Sequence, residues 1–346
     1  MKKILHIANT DRFSGAENVI CQIISMFRDD EGIEMAYVSK DGQIREALEE
    51  RNIRFIPVES VSVKELKRVI KEERPDVIHA HDMKASLIAA LACGKTRLVC
   101  HLHNNDYANR KLSAKSVAFL LPCIKASHIF FVSGSSYEGY IFHNWFKKKS
   151  SVLFNIIDIE ALNDKANQDE QAYDYDVVYV GRLTYQKNPQ RLLAVVKKVT
   201  DRLPDIKVAI VGTGEMDDEI ATLRTKLGLE QNVDILGFKS NPTKIMKEAK
   251  VMMMTSRWEG TPMCALESFA LGTPIVSTPT DGLMDLISEG ETGFLSDDDN
   301  ELADRIVQIM LNDELRTRMW KNWIEDAKKR NNISVYIGEL KKAYNG

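Results

Sequence analysis

Short apolar runs alternate with amphipathic stretches along this whole chain, and about halfway the alternation starts afresh. Lys3–Ala8, Glu34–Ser39, Phe55–Val58, Val77–Ala80, Arg97–Leu102 and Ile129–Val132 read as strands, and Ser151–Phe154 ends the first half. Between them, Ala16–Arg28 carries Val19, Ile20, Ile23, Ile24 and Phe27 at helical spacing. Ile44–Arg51, Val63–Glu73, Ala85–Ala92, Leu112–Lys125 and Ser135–Phe142 read as further helices. Strands and helices that alternate over short connections build parallel, doubly wound sheets. Such sheets bind ligands beyond the carboxyl ends of their strands. At 346 residues there is room for two such domains of roughly 150–180 residues each. The expected division is a first domain over 1–158, a polar and acidic linker over 159–175, and a second domain over 176–330. A last amphipathic helix, Val335–Tyr344, occupies the remaining 331–346.

The second half restarts with strand Asp176–Val180, then Lys207–Val211, Val233–Leu236, Val251–Met254 and Ile275–Ser277. The expected helices there are Gln190–Arg202, Asp217–Leu227, Asn241–Ala249, Met263–Leu271, Asp285–Glu289 and Glu301–Asn312. Thr255–Ser277 is its most informative stretch. A turn rich in Gly and Pro, Trp258–Pro262, leads into the helix Met263–Leu271, and Gly272–Pro274 closes it. This arrangement points backbone N–H groups and the positive end of a helix at whatever lies above the loop, which suits an anion. Glu259 precedes the helix and Glu267 falls inside it. Carboxylates beside an anion site would repel it, so these two fit sugar or ribose hydroxyls. A second loop, Gly181–Asn188, holds Arg182 and Lys187 at a strand end, where both can converge on one diphosphate. In the first half, Ser14-Gly15 follows the first strand, and glycine permits close backbone approach to a phosphate.

The pattern EG-T-P-M-x-x-L-E-S-x-A-x-G-T-P-I-V, together with G-R-L-x-x-x-K-N at 181–188, closely resembles the retaining glycosyltransferases of family 4. That resemblance implies the GT-B fold: two Rossmann-like domains facing a deep cleft, with a terminal helix crossing back to the first. It implies transfer of a sugar from a nucleoside diphosphate, a UDP-sugar by preference, to a hydroxyl of a glycan or lipid-linked glycan, as in bacterial surface polysaccharide synthesis. Arg182 and Lys187 would hold the diphosphate, Glu259 the sugar hydroxyls, and Glu267 the ribose. Gly260, Thr261, Pro262, Met263, Gly214 and Phe238 would complete the donor site, with Ser14 and Gly15 contributing from the first domain. His103 matches the family histidine that faces the reacting sugar, with His101 the alternative if the register slips by two. Neither a metal nor another cofactor is implied. Two departures are visible: Ser14-Gly15 replaces a pair of glycines, and Asn155-Ile156-Ile157-Asp158 lacks the glycine of N-G-x-D. A nucleotide-sugar epimerase of the same fold and a non-catalytic partner subunit are the alternatives.

Other features point elsewhere and carry less. His79-Ala80-His81 and His101-Leu102-His103 each place two imidazoles on one strand face, yet no acidic or thiol ligand completes a metal set. Gly212-x-Gly214 lacks the third glycine of a dinucleotide loop. Asp174-Tyr175-Asp176 and Asp297–Asp299 read as solvated charge. Residues 1–158 hold 23 Lys and Arg against 19 Asp and Glu, whereas the rest holds 24 against 31. The basic surplus, with Trp145-Phe146 beside Lys147–Lys149 and the apolar run between Lys115 and Lys125, fits contact with an anionic membrane surface. No nucleic-acid motif accompanies it. Five scattered cysteines without C-x-x-C spacing, and no apolar run long enough to span a bilayer, point to a cytoplasmic protein.

Overall fold

The computed structural model describes residues 1–103 and 107–345. It divides into two compact units, Met1–Asn155 with Ile333–Gly346, and Ile156–Asn332.

The first unit is built on seven parallel strands: β1 (Lys2–Ile7), β2 (Ile33–Lys40), β3 (Phe55–Val58), β4 (Val77–His81), β5 (Arg97–Leu102), β6 (His128–Phe131) and β7 (Ser150–Val152). Their order is β3-β2-β1-β4-β5-β6-β7. It reverses direction between β1 and β4, where doubly wound sheets bind ligands. One face carries Leu5, Ile7, Val38, Ile78, Ala80, Leu98 and Cys100 into a core with Leu66, Ala85, Ala89 and Phe119. The alternate residues point the other way, so register pairs His6 with His79 and His81 with His101 on the opposite face. The helix Ile333–Asn345 belongs to this unit and buries Tyr336, Leu340 and Tyr344. Lys341 pairs with Asp30 at 2.6 Å, and Tyr344 accepts from Lys2 Nζ through its carbonyl at 3.1 Å.

The second unit repeats the plan with β8 (Val177–Val180), β9 (Val208–Val211), β10 (Val233–Gly237), β11 (Val251–Met254), β12 (Ile275–Ser277) and β13 (Gly293–Leu295). The order is β10-β9-β8-β11-β12-β13, all parallel, with the reversal between β8 and β11. Its inner strands β8, β9, β11 and β12 are almost entirely buried, as expected where helices cover both faces, whereas edge strand β10 exposes Asp234.

Several elements differ from the sequence expectation. Within the expected linker, Ile159–Gln168 is a helix capped by Asp158, whose side chain accepts from Ala161 N at 2.9 Å. Only Leu162 and Ala166 of it are buried, a stripe too thin to register as periodicity. Asp313–Arg330 is a long helix in which Leu315, Met319 and Trp323 form a buried i, i+4, i+8 line among polar residues. The expected helix at Asp285–Glu289 lies earlier, at Asp281–Met284. Leu112–Lys125 is two short helices, Ala114–Ala118 and Leu120–Lys125, because Pro122 cannot donate to residue 118 and its ring crowds that carbonyl. Among the described residues no helix is long and apolar enough to cross a membrane.

Candidate active site

At the reversal point of the second unit, the loops after β8 and β11 are laced together. Tyr179 donates its hydroxyl to the Arg182 carbonyl at 3.0 Å, and Leu183 is pinned by Thr213 O and Met216 N at 3.1 and 3.0 Å. Leu183 is fully buried, which leaves Arg182 beside it exposed at the strand end. Asn188 takes a left-handed conformation and turns the chain into the helix Pro189–Thr200, with proline at its first position. From the other loop, Arg257 N donates to Gln186 O at 2.8 Å, and Gln186 Nε2 to Trp258 O at 2.9 Å. The Arg257 guanidinium bonds Tyr185 O and Asn188 Oδ1 while stacking over the Tyr185 ring at 4.3 Å. Each loop therefore fixes the other.

This lacing brings Lys187 against Glu259. The ammonium donates to Glu259 Oε1 at 2.6 Å, and Ser256 Oγ donates to the same oxygen at 2.5 Å. Both side chains are nearly buried, at 13% and 6% exposure. Burial works against the Lys187 charge, yet Glu259 outweighs it and holds the ammonium above its ordinary pKa. Glu259 is thus an oriented, hydrogen-bonded acceptor, and Lys187 is a fixed cation with further N–H bonds to offer. A buried ion pair contributes little net stability over an apolar pair of the same shape. Its retention makes better sense as a preset arrangement of charge.

Gly260, Thr261 and Pro262 follow as a buried turn and start the helix Met263–Leu271, which has no side-chain cap at Pro262. The first-turn N–H groups of such a helix have no carbonyl of their own helix to bond. The turn is backed by Gly282: a Cβ there would lie 1.2 Å from the Gly260 carbonyl, so only glycine fits. Glu267 is half-buried, about one turn into the helix. Cys264 lies between Lys187, Glu259 and Glu267, and burial pushes its thiol up to about 12. Gly214 packs against the carbonyl of Leu183, where a Cβ would fall at 2.1 Å, and its N–H bonds Asp217 Oδ1 at 2.6 Å. Phe238 is exposed just beyond β10. Arg182, Lys187, Glu259, Gly260–Met263 and Glu267 thus share two adjoining loops and one helix, with Gly214 behind them. Ser256 and Arg257 complete the assembly beside Asn188, the last residue of the G-R-L-x-x-x-K-N motif, and were not singled out from sequence. A serine three residues before a glutamate carries no pattern of its own.

In the first unit, Ser14 precedes the helix Gly15–Met26 in extended conformation, and its hydroxyl donates to Glu17 Oε2 at 2.5 Å. His103 lies just past β5; its N–H donates to Asp82 Oδ1 at 3.0 Å and its Nε2 is 2.8 Å from His81 Nδ1. Burial lowers its pKa to about 3, so the ring is neutral, and the same burial raises Asp82 to about 6. His101 is fully buried one step back. Asn104 lies outside the described residues. The two histidine pairs do not stand alone, because β1 adds His6, with Nδ1 3.0 Å from His81 Nε2. Asp174 and Asp176 pair with Lys207 and Lys250 at 2.6 and 2.8 Å, and Asp297 and Asp299 clasp Arg191 at 2.6 Å.

Two family profiles match adjoining stretches of the chain: "Glycosyltransferase Family 4" over residues 13–161 and "Glycosyl transferases group 1" over residues 161–342. An N-acetylgalactosamine-N,N'-diacetylbacillosaminyl-diphospho-undecaprenol 4-alpha-N-acetylgalactosaminyltransferase of Campylobacter jejuni is 30% identical, covering 68% of this chain and 66% of its own. The UDP-Gal:alpha-D-GlcNAc-diphosphoundecaprenol alpha-1,3-galactosyltransferase of Escherichia coli is 23% identical over 99% of this chain and 96% of its own. Among solved structures, Anabaena HepE in complex with UDP-glucose superposes with a TM-score of 0.87 over 100% of both chains at 23% identity, which shows a shared fold.

Proposed function

The chain belongs to the group 1 glycosyltransferases, a family 4 type enzyme of GT-B fold, and from that premise we propose that it moves a sugar from a UDP-sugar to a hydroxyl of a lipid-linked glycan, with retention of anomeric configuration and no metal at the diphosphate. The observation that carries this reading is the buried Lys187–Glu259 pair beside exposed Arg182 and an uncapped helix start. Breaking the anomeric C–O bond puts negative charge on the diphosphate and positive charge on the sugar ring. Arg182, Lys187 and the N–H groups after Pro262 would meet the first charge without a metal. Glu259, oriented by Ser256, would accept from sugar hydroxyls, and Glu267 from the ribose. Gly15 and Ser14 would approach a phosphate from the first unit, and His103, neutral at pH 7, would bond a hydroxyl of the reacting sugar. The acceptor would attack from the leaving group's side, its proton passing to the departing phosphate oxygen.

Support for a lipid-linked acceptor comes from the named substrates of the two relatives above, and for a UDP donor from the UDP-Gal of the Escherichia coli relative and the UDP-glucose bound by HepE. Exposed Leu112, Val117, Ile124 and Trp145, among Lys111, Lys115, Lys147 and Lys148, support peripheral contact with an anionic bilayer by the first unit, while the Lys125 ammonium is held by the Ala90 carbonyl at 2.8 Å. Lys149 takes no part in it, since its ammonium bonds the carbonyls of Ile124 and Ala126 at 3.0 and 2.8 Å.

The test is incubation with UDP-sugars and a polyprenyl-diphosphate glycan in EDTA, following UDP release and the anomeric configuration of the product. UDP release that depends on acceptor, with the donor's configuration kept, is expected. An isomerised sugar without transfer would make the protein an epimerase, and an inverted product would exclude the same-side mechanism.

A further inference from the structure

Five buried imidazoles crowd one face of the first unit's sheet at its reversal point. His6 comes from β1, His79 and His81 from β4, and His101 and His103 from β5 and its end. One ring nitrogen each of His6, His79 and His81 lies within 4.8 Å of the others, and the same holds for His81, His101 and His103. Parallel register makes this convergence, since His6 pairs with His79 and side chains two apart share a face.

We propose that His6, His79 and His81 bind one nitrogen-preferring divalent metal ion of the zinc class, one hydrogen bond away from His103. Three arguments carry this. The donors are all neutral imidazole nitrogens, which suit Zn²⁺ or Co²⁺ and not Mg²⁺ or Ca²⁺, whose ligands are oxygen. Two of the three outer nitrogens are already held, His79 Nδ1 by the Tyr344 hydroxyl at 2.9 Å and His81 Nδ1 by His103 Nε2 at 2.8 Å, while the outer Nε2 of His6 has no partner. Second partners of this kind fix the tautomer and ring angle of metal-binding histidines. They leave the Nε2 atoms of His79 and His81 facing inward, and His79 Nε2 is buried without a hydrogen-bond partner. Finally, His6 Nδ1 and His81 Nε2 stand 3.0 Å apart, a few tenths short of the ~3.3 Å edge implied by tetrahedral zinc–nitrogen bonds.

The triad of His81, His101 and His103 is the weaker choice, because both nitrogens of His101 lack any partner that would orient the ring. The metal would tie β1 to β4 beneath the helix Ile333–Asn345, which brings Tyr344. Since all three rings are buried, the ion would enter as the unit folds.

The experiment uses untagged full-length protein purified from cultures supplemented with zinc or cobalt. Metal content is measured by mass spectrometry, and the Co²⁺ form by visible absorption. One ion per chain is expected, with the visible ligand-field bands of histidine-bound Co²⁺ and a higher melting temperature than after prolonged chelation. His6→Gln and His79→Gln should lose the ion, while His101→Gln, in the same buried row, keeps it and reports on damage to the fold. Tyr344→Phe spares every ligand and should weaken affinity by roughly 10–100-fold, so the test survives if a ligand variant fails to fold. Wild type without bound metal would overturn the proposal, as would metal retained by His79→Gln or lost with His101→Gln.

Discussion

The two units run their strands in the same order and reverse at the same place, yet opposite chemistries stand there. In the first unit the reversal between β1 and β4 collects neutral, desolvated histidines closed over by Tyr344. In the second, the reversal between β8 and β11 collects Arg182, Lys187 and Glu259 on loops that hold each other in place. The topology supplies a location twice and leaves the chemistry to the residues. One site keeps its polar groups uncharged by burial, and the other keeps a charge despite it.

The largest effects should come from the charged site. Lys187→Met leaves Glu259 buried without its cation and is expected to destabilise the second unit by about 3–5 kcal/mol, measured by denaturant unfolding, along with loss of transfer. Arg182→Ala should lower kcat by roughly 10²–10³ with unchanged melting, because its guanidinium is exposed. Equal losses of stability in the two variants would erase the distinction between a structural and a surface cation. Gly282→Ala forces the Gly260 carbonyl to move and should cost about 1–3 kcal/mol, with weakened UDP binding by titration.

The strands and the helix Met263–Leu271 were legible because buried parallel strands leave continuous apolar runs and Gly-Thr-Pro punctuates the helix. Lys187 and Glu259 were each legible as candidates, but their direct pairing was not. They are 72 positions apart, and hydrogen bonds from Thr255, Arg257 and Gln186 across the two loops bring them together. The helix Asp313–Arg330 hid for a related reason: its buried Leu315, Met319 and Trp323 are diluted by charged neighbours. His6 hid among the apolar residues of β1, and only parallel register set it beside His79 and His81.

Smaller effects refine the contrast. Because Glu259 raises the Lys187 pKa above its ordinary 10.5, the pair's contribution is complete below that value and disappears as pH rises through the folded-state value. The stability gap between wild type and Lys187→Met should therefore stay constant above neutral pH and narrow only beyond about 10.5. A gap that narrows near neutrality would mean that Lys187 is not held charged. In the first unit, Tyr344→Phe removes one hydrogen bond to His79 and should cost about 1 kcal/mol in metal-free protein, seen as a small drop in melting temperature.

The most direct test of the transferase reading is calorimetric titration with UDP, GDP, ADP and NAD in EDTA, on wild type and Arg182→Ala. The account predicts tight binding of UDP alone, without divalent metal, and marked weakening by the substitution. Binding of NAD alone, or of no nucleotide until a divalent ion is added, would contradict it.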